Sequence, residues 1–171
     1  MVKLNIGCGR DVKEGWLNVD QLVLDPRVEM WNLLNRWLLP DHSVEEIHCS
    51  HVIEHFDRLQ RCWIMNEAYR VLQPGGKMTV IVPSWSSNRA YGDPTHQWPP
   101  VSEMWFFYLD KQWRDAQAPH TNDLLSCDFT TTWGYSMGQH LLARNQEYQQ
   151  MAMNSQINAV MDIHATLLKR G

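Results

Sequence analysis

Gly7-Cys8-Gly9 and Asp20 are the residues of this sequence whose types and spacing most directly suggest chemistry. The glycines close a short apolar run, Val2 to Ile6, and glycine there lets a ligand approach the backbone closely. Exposed N–H groups in such a turn can meet a carboxylate or a phosphate. Asp20 closes the next apolar run, Trp16 to Val19, where a carboxylate can accept from both hydroxyls of a ribose. A glycine turn followed by an acid at the next strand end points to an adenosine-containing cofactor. A nicotinamide dinucleotide fits poorly, because its fingerprint needs a third glycine and an acid about 20 residues on. Here Val12 stands where the third glycine belongs, and the acid comes only 11 residues after Gly9.

Two later groups carry titratable side chains. His51, Glu54 and His55 follow the run Glu46 to Ser50. In an open α/β sheet that is the carboxyl edge, where ligands bind. Glu54 and His55 can equally well just open the next helix. Asp93 and His96, three apart in a loop, can act as a general-base pair on a substrate hydroxyl. Alternatively, Asp93 holds the turn before Pro94. His120, Cys127 and His140 do not make a metal-binding set, and no metal is expected.

A sheet has to position these residues. Val2 to Ile6, Trp16 to Val19, Val28 to Trp31 and Glu46 to Ser50 read as short strands. Lys77 to Val82 is the clearest strand, rich in β-branched residues and stopped by Pro83. Between the last two, Asp57 to Leu72 has helical spacing, with Leu59, Cys62, Trp63, Tyr69 and Leu72 on its apolar side. Arg58, Arg61, Glu67 and Arg70 lie largely on other faces, and Pro74-Gly75-Gly76 ends the helix. Only seven residues, Arg10 to Trp16, separate the glycine turn from the second strand run, room for at most one helical turn. Farther on, Asn88 to Pro100 reads as a loop, and Ser102 to Trp113 as a capped helix. Asp128 to Tyr135 and Ala159 to Leu168 read as strands flanking a polar helix, Leu141 to Gln156. Strands alternating with helices imply an α/β fold of Rossmann-like type over one domain, residues 1–171.

Taken together, these segments resemble the class I S-adenosylmethionine-dependent methyltransferases, and among them small predicted enzymes with a shortened first strand connection. The resemblance rests on Leu4 to Gly9 with Gly15 to Asp20, on Leu39 to Ile47, on Ser50 to Phe56 and on Arg70 to Lys77. Asp93-Pro94-Thr95-His96 is similar to a loop motif of many members. It implies a mostly parallel seven-stranded sheet with helices on both faces and the last strand antiparallel. It also implies S-adenosylmethionine as cofactor, its methionine part at Gly7, Cys8 and Gly9, and its ribose at Asp20. Ser50 joins these contacts at the fourth strand end. The family often has an acid near the adenine after the third strand; this chain has Asn32, whose amide can still accept a hydrogen bond. His51 then lines the methyl site, and His96 with Asp93 supplies the base.

Composition narrows the partners. A net charge of −4 argues against a protein held on nucleic acid by phosphate contacts. The chain also lacks length for a domain that flips a base. No run approaches the roughly 18 apolar residues of a membrane span, and no signal-peptide core precedes Gly7. Cys8, Cys49, Cys62 and Cys127 have no C-x-x-C spacing and read as reduced thiols, which suits a cytoplasmic protein. The expectation is methyl transfer to a small-molecule or sugar-like hydroxyl. The rival classes are a non-catalytic cofactor-binding or assembly module and, less well supported, a nicotinamide oxidoreductase.

Overall fold

The chain, described over residues 1–171 by a computed structural model, lays down seven strands in one sheet. β1 (Val2–Ile6), β2 (Leu17–Asp20), β3 (Val28–Met30) and β4 (Val44–Ser50) come first, with no helix between them. A 3₁₀ turn (Ile53–His55) and helix α1 (Arg58–Val71) lead into β5 (Leu72–Pro83). Five short helices follow in two groups. α2 (Arg89–Gly92), α3 (Glu103–Phe107) and α4 (Lys111–Gln117) precede β6 (Phe129–Met137). α5 (Gln139–Leu142) and α6 (Gln146–Ser155) precede β7 (Val160–Lys169). The sheet order is β3-β2-β1-β4-β5-β7-β6. Every pairing from β3 to β5 is parallel, and β7 runs antiparallel to both of its neighbours. This is the expected Rossmann-like sheet, with the first crossover made by a loop.

Helical cover is unequal on the two faces. Met78, Val80, Val82, Ile163, Ala165, Leu167 and Phe129 form one buried row, joined in a single apolar cluster by Ile64, Met65 and Ala68 of α1 and Phe106 of α3. The opposite row, Lys77, His164, Thr166, Leu168, Thr130 and Thr132, is exposed. Near β1 and β2 that second face is covered by the connection between them. Asn5 Nδ2 donates to the Asp11 carbonyl at 2.7 Å and to Asn18 Oδ1 at 2.9 Å, and both asparagines are buried. Trp16 sets its edge against His48, ring centroids 6.5 Å apart. Beside β1 and β2 the cover is thus a polar loop, because the connection between them, residues 7–16, is too short for a helix of more than one turn.

Three helix expectations are corrected. The buried stripe of α1 is Arg61, Ile64, Met65, Ala68 and Val71, whereas Leu59 and Trp63 are exposed. Two charged residues sit inside because backbone groups need them: Arg61 gathers carbonyls, and Glu67 Oε2 accepts from the Trp37 N–H at 2.8 Å. α1 ends at Val71, with Leu72 already extended ahead of Pro74. Ser102 to Trp113 is two helices, because Asp110 restarts the chain by accepting from the N–H groups of Gln112 and Trp113, while the Ser102 side chain caps nothing. Asn145 does the same for Tyr148, splitting Leu141 to Gln156 into α5 and α6. No helix is long and apolar enough to cross a membrane.

Candidate active site

The carboxyl ends of β1, β2 and β4 open into a cavity of about 320 Å³ lined by Gly7, Gly9, Asp20, Asn32, Trp31, Leu33 and Val52, among others. Its two glycines are required for different reasons. A Cβ on Gly7 would stand 2.4 Å from Val52 Cγ2, so the close approach of β1 to the segment after β4 excludes a side chain. A Cβ on Gly9 would meet nothing, but Gly9 has φ +49° and its bare backbone faces the cavity. Asp20 Oδ2 accepts from the Gly9 N–H at 2.8 Å and Oδ1 from the Leu22 N–H at 2.9 Å. The carboxylate therefore ties the ends of β1 and β2 together and keeps its remaining lone pairs for a ligand.

Beside it lies an open cleft of about 560 Å³ whose wall is polar: His51, Glu54, His55, Arg89, Asp93 and His96, with Gly92, Pro83 and Pro94. His51 and His55 border both spaces. His51 has φ +55°, a left-handed conformation unusual for a side-chain-bearing residue, fixed by its N–H donating to the Ile81 carbonyl at 2.8 Å. Its Nδ1 lies 3.3 Å from Glu54 Oε1. The Glu54 acceptor beside the ring is the main reason the imidazole pKa is raised from its usual value, and it outweighs burial. Glu54 itself is buried, and neither carboxylate oxygen has a well-formed hydrogen bond; the contact with His51 is at ion-pair distance but poorly angled.

The loop bearing Asp93 and His96 is fastened from behind. Arg61, 3% exposed, donates to the carbonyls of Ile53, Gln97 and Pro99 at 3.1, 3.0 and 2.7 Å. The Gln97 N–H donates to the Glu54 carbonyl at 2.8 Å. Arg89 reaches across to Asp162 of β7 at 2.8 Å. Within the loop, Asp93 Oδ1 accepts from the Thr95 N–H and hydroxyl, which holds its carboxyl below the usual range.

The residues singled out from sequence divide clearly. Gly7, Gly9, Asp20 and Asn32 meet at the first cavity, His96 and Asp93 at the second, and His51 at the junction. Cys8 and Ser50 line neither. The Cys8 side chain is buried, and burial pushes its thiol pKa up. His96 lies on the wall of the cleft, not of the first cavity. Its Nδ1 is 3.2 Å from the Ala90 carbonyl, and its ring packs edge-on to His55, centroids 4.7 Å apart. Sequence reasoning gave Glu54 and His55 little weight and put Arg61 on the wrong face. For Glu54 and His55 the signal was that, with His51, they put three titratable side chains within five residues of the β4 end. Sequence reasoning also missed Val52 as a cavity wall, which only the fold brings to the glycine turn.

Residues 32–80 match a family model described as methyltransferase domain. No curated protein sequence matches the chain. Among solved structures, the chain is similar to an S-adenosylmethionine-dependent methyltransferase from Archaeoglobus fulgidus, with 18% identity and a TM-score of 0.71 over 98% of this chain and 85% of that one. It is also similar to a possible histamine N-methyltransferase from Thermotoga maritima, with 16% identity and a TM-score of 0.60 over 99% and 82%. A third is the N-methyltransferase NodS from Bradyrhizobium japonicum in complex with S-adenosylhomocysteine, with 12% identity and a TM-score of 0.57 over 99% and 78%. At these identities the likeness is one of fold.

Proposed function

We propose that this chain, which has the fold of S-adenosylmethionine-dependent methyltransferases and matches a methyltransferase-domain model over residues 32–80, carries the methyl group of S-adenosylmethionine to a hydroxyl of a small polar molecule. The observation that carries the reading is the junction. The space bounded by Gly7, Gly9, Asp20 and Asn32 meets, at His51 and His55, a cleft whose side chains are mostly titratable. The cofactor takes the first space, ribose toward Asp20 and adenine toward Asn32, and the acceptor takes the second.

Transfer is an in-line displacement: the acceptor oxygen forms a bond to the methyl carbon, and the C–S electron pair returns to sulfur. The protein's work is alignment and exclusion of water. A hydroxyl also has to lose its proton. His51 is better placed to take it than His96, because it borders both spaces while His96 borders only the cleft. Glu54 beside Nδ1 steadies the imidazolium that results, and Asp93 and His96 shape the far wall. A module that only assembles with other proteins has no need of a strained His51 or an unbonded buried carboxylate.

The test is transfer of radiolabelled methyl from S-adenosylmethionine to a panel of sugars, polyols and phenols, with matched amines alongside. Label is expected in hydroxyl acceptors, with His51→Ala lowering turnover by about 10²–10⁴-fold and leaving S-adenosylhomocysteine affinity within about twofold. Label entering only the amines, or normal turnover in the variant, overturns this assignment of acceptor and base.

A further inference from the structure

Glu54 poses a question that its neighbour His51 does not answer. A carboxylate this buried, without a well-formed hydrogen bond to either oxygen, is rare unless something outside the chain completes it. Oε1 faces His51, and Oε2 has no partner at all. Ligand atoms of Glu54, His55 and His96 all lie within 4.8 Å of one another. The two imidazoles are held by the same nitrogen. Asp93 Oδ1 accepts from the Thr95 hydroxyl at 2.7 Å, so Thr95 Oγ1 is left to accept from His55 Nδ1 at 2.8 Å. His96 Nδ1 is held by the Ala90 carbonyl. In both rings the proton is thereby placed on Nδ1, and Nε2 is left with its lone pair. Metal-ligating histidines are oriented in this way, the other ring nitrogen donating to a carbonyl or to a carboxylate relay.

We propose that Glu54, His55 and His96 form a divalent-cation site in the acceptor cleft. The donor set, two imidazoles and one carboxylate, suits a borderline cation such as Zn²⁺, Co²⁺, Fe²⁺ or Mn²⁺ over Mg²⁺ or Ca²⁺, which prefer oxygen. Bonds of about 2.0–2.2 Å require the three groups to draw in from their present spacing, a movement of side-chain rotamers. Three protein ligands leave positions open toward the cleft. The inference rests on the acceptor reading above: an acceptor hydroxyl bound at an open position is easier to deprotonate. Its proton passes to His51, its oxygen attacks the methyl carbon, and sulfur leaves with the C–S electron pair. This also gives the Asp93-Pro94-Thr95-His96 segment two jobs, supplying one ligand and orienting another.

Metal uptake tests this without any acceptor. Chelator-treated protein is titrated with Co²⁺, Zn²⁺ and Mg²⁺ by calorimetry, with the visible absorption of bound Co²⁺ as a second readout. One equivalent of Co²⁺ or Zn²⁺ is expected, with Mg²⁺ bound at least about 100-fold more weakly. His55→Ala and His96→Ala, each shown to be folded by its melting curve, should weaken Co²⁺ by more than about 100-fold. Thr95→Val, which removes only the group holding His55, should weaken it by about tenfold. Asp20→Ala separates this inference from the cofactor reading: it should lose S-adenosylhomocysteine affinity and keep Co²⁺ uptake. Folded wild-type protein that takes up no Co²⁺ or Zn²⁺, or uptake that survives in His55→Ala/His96→Ala, overturns the site whether or not the cofactor binds.

Discussion

The two spaces at the carboxyl edge are built differently. The first is mostly backbone and apolar wall, made by strand ends that the sheet ladder brings together, with Asp20 bonded to the Gly9 N–H across two neighbouring strands. The second is made of side chains from distant segments, His51 to His55 after β4 and Arg89 to His96 after β5, joined by Arg61. The second depends on a few buried polar anchors, chiefly Arg61.

Removing the anchor should break the comparison most sharply. Arg61→Ala leaves the carbonyls of Ile53, Gln97 and Pro99 without their donor, and should cost about 3 kcal/mol or more of stability. Urea unfolding measures that loss. S-adenosylhomocysteine affinity of the folded variant should change by less than about threefold. An equal loss on the cofactor side would show that the two spaces are not independent.

The glycines sharpen the contrast within the first space. Gly7→Ala places a Cβ against Val52 in a left-handed residue and should destabilise by about 2–4 kcal/mol. Gly9→Ala meets only the backbone penalty, about 1 kcal/mol, yet intrudes on the cavity, so its larger effect is on cofactor affinity. Comparable unfolding midpoints for the two variants would refute this division.

The smallest effect lies away from both spaces. The Glu67 carboxyl is held below its usual range chiefly by hydrogen bonding from Arg70, and that of Asp110 by Arg170. Carboxyls with lowered pKa in the folded state add stability that is present above the unfolded value of about 4 and is lost as pH falls through the folded one. Melting temperature should therefore be insensitive to these pairs near neutrality and decline below about pH 4. Glu67→Gln should flatten part of that decline. An unchanged acid limb would show that the pair contributes nothing.

The first space was legible because its determinants are local. Gly7, Gly9 and Asp20 stand at ends of apolar runs, and parallel pairing of Asn5 with Asn18 brings them together. The strands were legible for the same reason, each being a short apolar or β-branched run next to a turn. Arg61 was not, since nothing in a helical pattern says that a charged residue will be buried to satisfy carbonyls nearly forty positions away. The helix breaks at Asp110 and Asn145 were hidden too, because a polar residue within a helical pattern becomes a cap only once the chain turns there. The loop cover beside β1 and β2 follows from a connection length that was visible.

Calorimetric titration of the wild-type chain with S-adenosylhomocysteine and, separately, NAD tests the central claim most directly. S-adenosylhomocysteine should bind one to one in the micromolar range or tighter, and NAD should give no saturable heat. Asp20→Ala, checked for folding by its melting curve, should weaken S-adenosylhomocysteine by about tenfold to a hundredfold, the ~1.5–3 kcal/mol of charge-assisted hydrogen bonds. Equal affinity in the variant, or NAD bound as tightly as S-adenosylhomocysteine, would contradict the assignment of the Gly7–Asp20 cavity to a sulfonium cofactor.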